Sequence, residues 1–112
     1  MFHTLNSPAD LDDAIQASHD QPIVIFKHSN NCPFSARAQE QVVNAKHDLE
    51  IYGLVVQYKK DVSDAVAEKL NVEHASPQAI IVHQGAAVAH YWRSEIKEDR
   101  LKEEVNRLAG QS

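Results

Sequence analysis

Cys32 is the only cysteine among 112 residues, and it stands at a junction. An apolar run, Ile23-Val24-Ile25-Phe26, leads into Lys27-His28-Ser29-Asn30-Asn31-Cys32-Pro33-Phe34-Ser35, and a helical pattern leads out. The first backbone N–H groups of a helix have no partner inside it, and the helix dipole adds partial positive charge at that end. Both favour a thiolate over a thiol, so a cysteine there is expected to titrate below the free value of about 8.5. Pro33 suits the first helical position, where its missing N–H is not needed. The competing reading makes Cys32 a small buried apolar residue without chemistry. Lys27 and His28 are candidate cations near the thiol. Against those roles stand a structural or capping side chain for His28 and a solvated surface charge for Lys27.

The surrounding pattern supplies elements to hold this junction. Ser7-Pro8-Ala9-Asp10 reads as a helix start, with Leu11, Ala14 and Ile15 on one face. A short strand at residues 2–5 is weakly signalled. Residues 23–27 form a continuous apolar run, as expected of a central strand covered on both faces. Phe34, Ala38, Val42, Ala45 and Leu49 recur at spacings of three and four, which predicts an amphipathic helix of about four turns with Phe34 packed inward. Arg37, Glu40 and Lys46 fall on its other face. Residues 51–59 read as the next strand. Asp61 and Ser63 offer caps for a helix with Val62, Ala65, Val66 and Leu70 inside and Asn71 as its end. A turn at 73–78 leads to a strand at 79–83, a hairpin turn at Gln84-Gly85 and a returning strand at 86–92. Ile96, Leu101, Val105 and Leu108 mark a final helix, with Glu98–Lys102 and Glu103–Arg107 as i,i+4 pairs and Gly110 as its stop. The strand–helix–strand unit implies a parallel, right-handed crossover, and the later hairpin adds antiparallel strands.

Composition narrows the classes. The length suits one compact domain, residues 1–112. With 11 Lys and Arg against 16 Asp and Glu, the formal net charge is −5, and no basic run occurs, so nucleic acid is excluded as a partner. No apolar run reaches the length of a membrane span. Residues 1–16 carry no basic start followed by an apolar core, which argues against a secretory signal. A lone thiol and no such signal point to the reducing cytoplasm.

Strand–Cys–helix, strand, helix, X-Pro, hairpin, helix resembles the thioredoxin superfamily: an α/β fold with a central mixed sheet flanked by helices. Such folds place a cis-proline opposite the reactive cysteine, and Ser76-Pro77 stands at that place; the alternative is a trans proline that simply starts a strand. Lys27-His28-Ser29, Cys32-Pro33-Phe34-Ser35 and His74-Ala75-Ser76-Pro77-Gln78 together resemble the monothiol bacilliredoxins, which typically show K-H-S-x-x-C-P-I-S and H-E-S-P-Q. Phe34 in place of isoleucine and Ala75 in place of glutamate are the departures. The second removes a charge near the thiol.

The resemblance implies a cytoplasmic thiol–disulfide oxidoreductase with Cys32 as nucleophile and Pro33 beside it. Its clients would be S-thiolated proteins, and bacillithiol or a similar low-molecular-weight thiol would serve as co-substrate, with no bound cofactor and no metal. The backbone of Ser76, before Pro77, would pair with substrate. His28 and Lys27 would flank the site, with His74 beside the groove. The malate carboxylates of bacillithiol would meet Lys27, Lys59 or Lys60. One cysteine cannot resolve its own mixed disulfide, so an external thiol must complete the cycle.

Other readings compete. Seven histidines invite a metal, but a single cysteine and no H-x-x-x-H leave a structural zinc site short of ligands. A cysteine hydrolase would need a histidine on Cys32, and no oxyanion loop is visible. Cys32-Pro33-Phe34-Ser35 differs by one residue from the C-G-F-S of iron–sulfur-carrying monothiol glutaredoxins. Proline there stiffens the loop and removes an N–H, which hinders cluster binding. A non-catalytic thioredoxin-like scaffold is the remaining alternative.

Overall fold

Residues 23–28 alternate between two cores. In the computed structural model, which describes residues 2–30, 33–43 and 49–110, Ile23 and Ile25 enter one core while Val24 and Phe26 enter the other. This is the period-two geometry of a strand covered on both faces. The elements run β1 (Phe2–Thr4), α1 (Pro8–Ala17), β2 (Ile23–His28), α2 (Pro33–Val42), β3 (Ile51–Val55), α3 (Lys60–Leu70), β4 (Gln78–His83), β5 (Ala86–Trp92), a 3-10 turn (Arg93–Glu95) and α4 (Glu98–Ala109). The sheet order is β1-β3-β2-β4-β5. β3 runs parallel to β1 and β2, and β4 runs antiparallel to β2 and β5. The expected mixed sheet flanked by helices is therefore present.

Helices α1 and α3 cover one face through Leu11, Ala14, Val62, Val66 and Leu70. Helices α2 and α4 cover the other through Ala38, Val42, Leu101 and Leu108. Each fully buried Val, Leu, Ile or Phe contributes about 1.5–3 kcal/mol, which makes β2 and β4 the centre of stability. Ser7 caps α1, its hydroxyl accepting from the Asp10 N–H, with Pro8 in the first turn. Gln84 and Gly85 both have positive φ, 54° and 82°, as a two-residue hairpin with matching twist requires. The Ser76–Pro77 peptide bond is cis, as the resemblance implied.

Several expectations need correction. Phe34 does not pack inward: it is 42% exposed, and Ser35, Ala38 and Val42 form the buried stripe of α2. Ser35 and Phe34 both lie at helical spacing from Ala38, so periodicity did not separate them. Leu49 is buried, but it lies in the segment entering β3 and not in α2; Ala45 and Lys46 fall outside the described residues. β3 ends at Val55, after which Tyr58 and Lys59 donate their N–H groups back to the Val55 carbonyl in a turn. Lys59 is the N-cap of α3 and gives no side-chain bond, while Ser63 faces inward and caps nothing. Glu98 and Lys102 pair at 4.0 Å as expected. Arg107 pairs with Glu104, one turn back by the i,i+3 path, and not with Glu103.

Candidate functional site

The site is built where β2 hands over to α2. Cys32 and Asn31 lie outside the described residues; the flanks on both sides are described. Helix α2 starts at Pro33, the residue that follows Cys32 in the chain. Two side chains tie the connection down. The Ser29 N–H donates to the Oγ of Ser35 at 3.0 Å, and Ser35 is 1% exposed. The Asn30 N–H donates to Gln57 Oε1 at 2.7 Å. A buried hydroxyl closing the strand-to-helix turn was not anticipated, although Ser35 stands within the quoted Cys32-Pro33-Phe34-Ser35 motif.

Lys27 and His28 point to opposite faces of the sheet, by the same alternation that separates Ile25 from Phe26. His28 stacks on Phe26, ring centroids 5.0 Å apart. Burial lowers its pKa below the usual imidazole value, so at neutral pH it is uncharged and supplies no cation. Lys27 is fully buried on the α3 side, which corrects the expectation of a solvated surface charge. Its Nζ lies 2.8 Å from His74 Nδ1 and donates to the Ser63 carbonyl at 3.4 Å. Burial lowers the Lys27 pKa to about 8, opposed by the Asp64 carboxylate. The amine is thus still mostly an ammonium at neutral pH, and His74 Nδ1 accepts from it. The His74 proton then resides on Nε2. Burial and the Lys27 charge hold the His74 pKa below its ordinary value, so that ring is also neutral. These contacts pin His74, and with it the approach to Pro77, onto β2 and α3. Gln78 pins the same segment from the other end, its Nε2 donating to the Glu73 carbonyl at 3.0 Å.

Arg93 joins the Pro77 side to the α2 side. Its N–H donates to the Pro77 carbonyl at 3.2 Å. Its guanidinium lies 5.0 Å over the Phe34 ring and 4.4 Å over the Trp92 ring. Arg93 also has a φ of 53°, the left-handed region that an arginine seldom adopts. No glycine or turn dipeptide marks this position, so the sequence carried no signal for it. Ser76 Oγ and Gln78 Oε1 are buried without a hydrogen-bond partner among the described residues. Of the residues expected at the site, Pro33 lines a groove of about 740 Å³ between α2 and the 3-10 turn. His74 lines a smaller one of about 240 Å³ with Trp92 and Gln78. Lys27 lines neither. Lys60 is bonded to Asp64 at 3.0 Å on the exposed surface of α3.

The comparisons agree with this arrangement. A family model described as Monothiol bacilliredoxin BrxC matches residues 3–101. One solved structure, described as having a thioredoxin fold, superposes with a TM-score of 0.82 at 32% identity, with 91% of each chain covered. Fasciola hepatica thioredoxin superposes at 0.71 with 22% identity, covering 95% of this chain and 98% of its own. A mutant thioredoxin of Halobacterium salinarum NRC-1 superposes at 0.72 with 17% identity, covering 96% and 90%. The last two share the fold.

Proposed function

Because this chain belongs to the monothiol bacilliredoxin family, we propose that it removes a low-molecular-weight thiol, bacillithiol or a close analogue, from S-thiolated client proteins through Cys32. Membership of the family and the thioredoxin-like fold support a thiol oxidoreductase. The finer reading rests on one observation: the chain has a single cysteine, and helix α2 begins at the residue after it. Unpaired amides and the helix dipole at such a position lower a thiol pKa.

The Cys32 thiolate attacks the low-molecular-weight sulfur of the mixed disulfide. A new disulfide forms between Cys32 and that thiol as the client's S–S bond breaks. The client cysteine leaves as a thiolate and takes up a proton. One disulfide replaces another, so no outside oxidant or reductant enters this step. A second thiol must then attack the adduct and leave as a disulfide with the first, which restores Cys32. The backbone of Ser76, before Pro77, is the edge along which the client's main chain would pair. His28 and His74, neutral at pH 7, act by position: His28 stacks on Phe26, and His74 Nδ1 accepts from Lys27.

The test mixes reduced protein with a bacillithiolated client and follows both by intact mass. One equivalent of client should be released per Cys32, the adduct appearing on this protein in step. Turnover should begin only when thiol is added, and Cys32→Ser should do neither. Turnover without added thiol would refute the mechanism.

A further inference from the structure

The groove between α2 and the 3-10 turn carries an unusual balance of charge for a chain with a net charge of −5. Arg37, Arg93 and Lys97 line it, against one carboxylate, Glu40. None of the three cations forms an ion pair among the described residues. Arg93 is held in place, its guanidinium over the Phe34 and Trp92 rings and its N–H on the Pro77 carbonyl. Stacking fixes the plane of a guanidinium while its N–H edge stays open to a carboxylate, the geometry for bidentate recognition. The groove also reaches Pro33, next in the chain to Cys32. A ligand seated in it therefore lies against the residue that follows Cys32 in the chain.

We propose that this groove binds the carboxylate-bearing part of the low-molecular-weight thiol, with Arg37 and Arg93 as its principal contacts and Lys97 adding charge. The proposal rests on the exchange function put forward above and replaces the lysines expected to do this work. Lys27 is sealed in the core, and Lys60 is paired on the exposed surface of α3. Three cations around one groove, one of them pre-oriented, favour a small dianion over a neutral thiol. The selectivity arises from charge and weakens as salt rises.

The experiment measures the rate of Cys32 exchange with two small disulfides, one of mercaptosuccinate and one of 2-mercaptoethanol, and takes their ratio. Relative to the unaltered protein, Arg37→Gln and Arg93→Gln should each lower the ratio about tenfold, as expected for loss of one charge-assisted hydrogen bond. Lys59→Gln and Lys60→Gln should leave it unchanged. Arg37 is exposed on a helix surface, so its substitution leaves the fold intact even if Arg93→Gln does not. An unchanged ratio in Arg37→Gln, or a loss in the Lys59 or Lys60 variant instead, overturns the proposal. Equal losses on both disulfides would also overturn it, since the arginine would then act on Cys32 exchange in general and not on the carboxylates. Protein that exchanges with neither disulfide refutes the oxidoreductase reading. The groove is then judged by 2-(methylthio)succinate, a thioether that cannot exchange. Its binding, followed by NMR shifts of α2 amides, should weaken in Arg37→Gln; equal binding to both proteins would overturn the site.

Discussion

The Lys27 Nζ lies 2.8 Å from Nδ1 of His74, a contact that spans 47 positions of sequence. It joins the penultimate residue of β2 to the segment that approaches Pro77, and Ser63 of α3 completes the triangle with its carbonyl on Nζ and its hydroxyl 3.3 Å from the same Nδ1. A buried ammonium is costly, and this one is kept by three elements meeting around it.

That cost has a pH signature. The folded-state pKa of Lys27 is lowered from 10.5 to about 8, so between these values the unfolded chain binds more protons than the folded one. Stability therefore rises with pH through that window, by on the order of 3 kcal/mol if it were fully traversed. Tyr52 and Tyr91 have raised pKa values and act in the opposite sense above about 10, so the rise is best read from pH 8 to 10. Urea unfolding across this range should show it, and Lys27→Met should flatten it. A rise that persists in Lys27→Met would assign it to another group.

On the acid side two histidines act together. His28 and His74 both have folded-state pKa values below the ordinary 6.5, so the unfolded chain takes up protons first as pH falls. Their contribution to stability is full above about pH 6.5 and declines below it. Melting temperatures at pH 7.5 and 5.5 should differ less in His28→Phe, which retains the stack on Phe26 and cannot charge. An equal acid loss in that variant would remove His28 from the account.

Phe34 is half exposed, and its contact is the Arg93 guanidinium. Phe34→Ala should therefore cost about 1 kcal/mol of stability, well under the 3–5 kcal/mol of a buried phenylalanine. The variant should instead disturb Arg93 and lower the exchange rate with the mercaptosuccinate disulfide. Chemical denaturation and the exchange assay together decide this. A loss of stability above 3 kcal/mol would show that Phe34 is a core residue.

Ser35 is the one buried polar residue of α2, and its hydroxyl accepts from the Ser29 N–H, joining the two sides of the stretch that holds Cys32 in the sequence. Ser35→Ala should cost about 1–2 kcal/mol. If the Ser29–Ser35 bond sets the thiol's surroundings, thiolate absorbance should also report a Cys32 pKa moved toward about 8.5 from a lower starting value. A Cys32 pKa at or above that value in the unaltered protein would remove the basis for a reactive thiol.

Local pattern was enough for the order of elements, because each leaves a periodic trace: two-residue alternation in β5, the apolar runs of β2 and β4, and the three-and-four spacing of α1, α3 and α4. It also put Cys32 in the stretch of chain between β2 and α2, whereas the cis Ser76-Pro77 bond was expected from the family resemblance, local pattern leaving a trans proline open. Spacing groups residues on a face without saying what lies against that face. That is why Phe34 was placed inward when Ser35 holds the position, and why Lys27 was read as a surface charge. Its burial follows from strand parity only once α3 is known to pack on that side of β2, with Ser63 and His74 above it. Arg93 left no trace at all: its left-handed backbone, its aromatic neighbours from two elements and the cationic groove it shares with Arg37 and Lys97 exist only where α2, β5 and the start of α4 converge. Contacts of that kind join residues far apart in sequence, and only the packed sheet and helices bring them together.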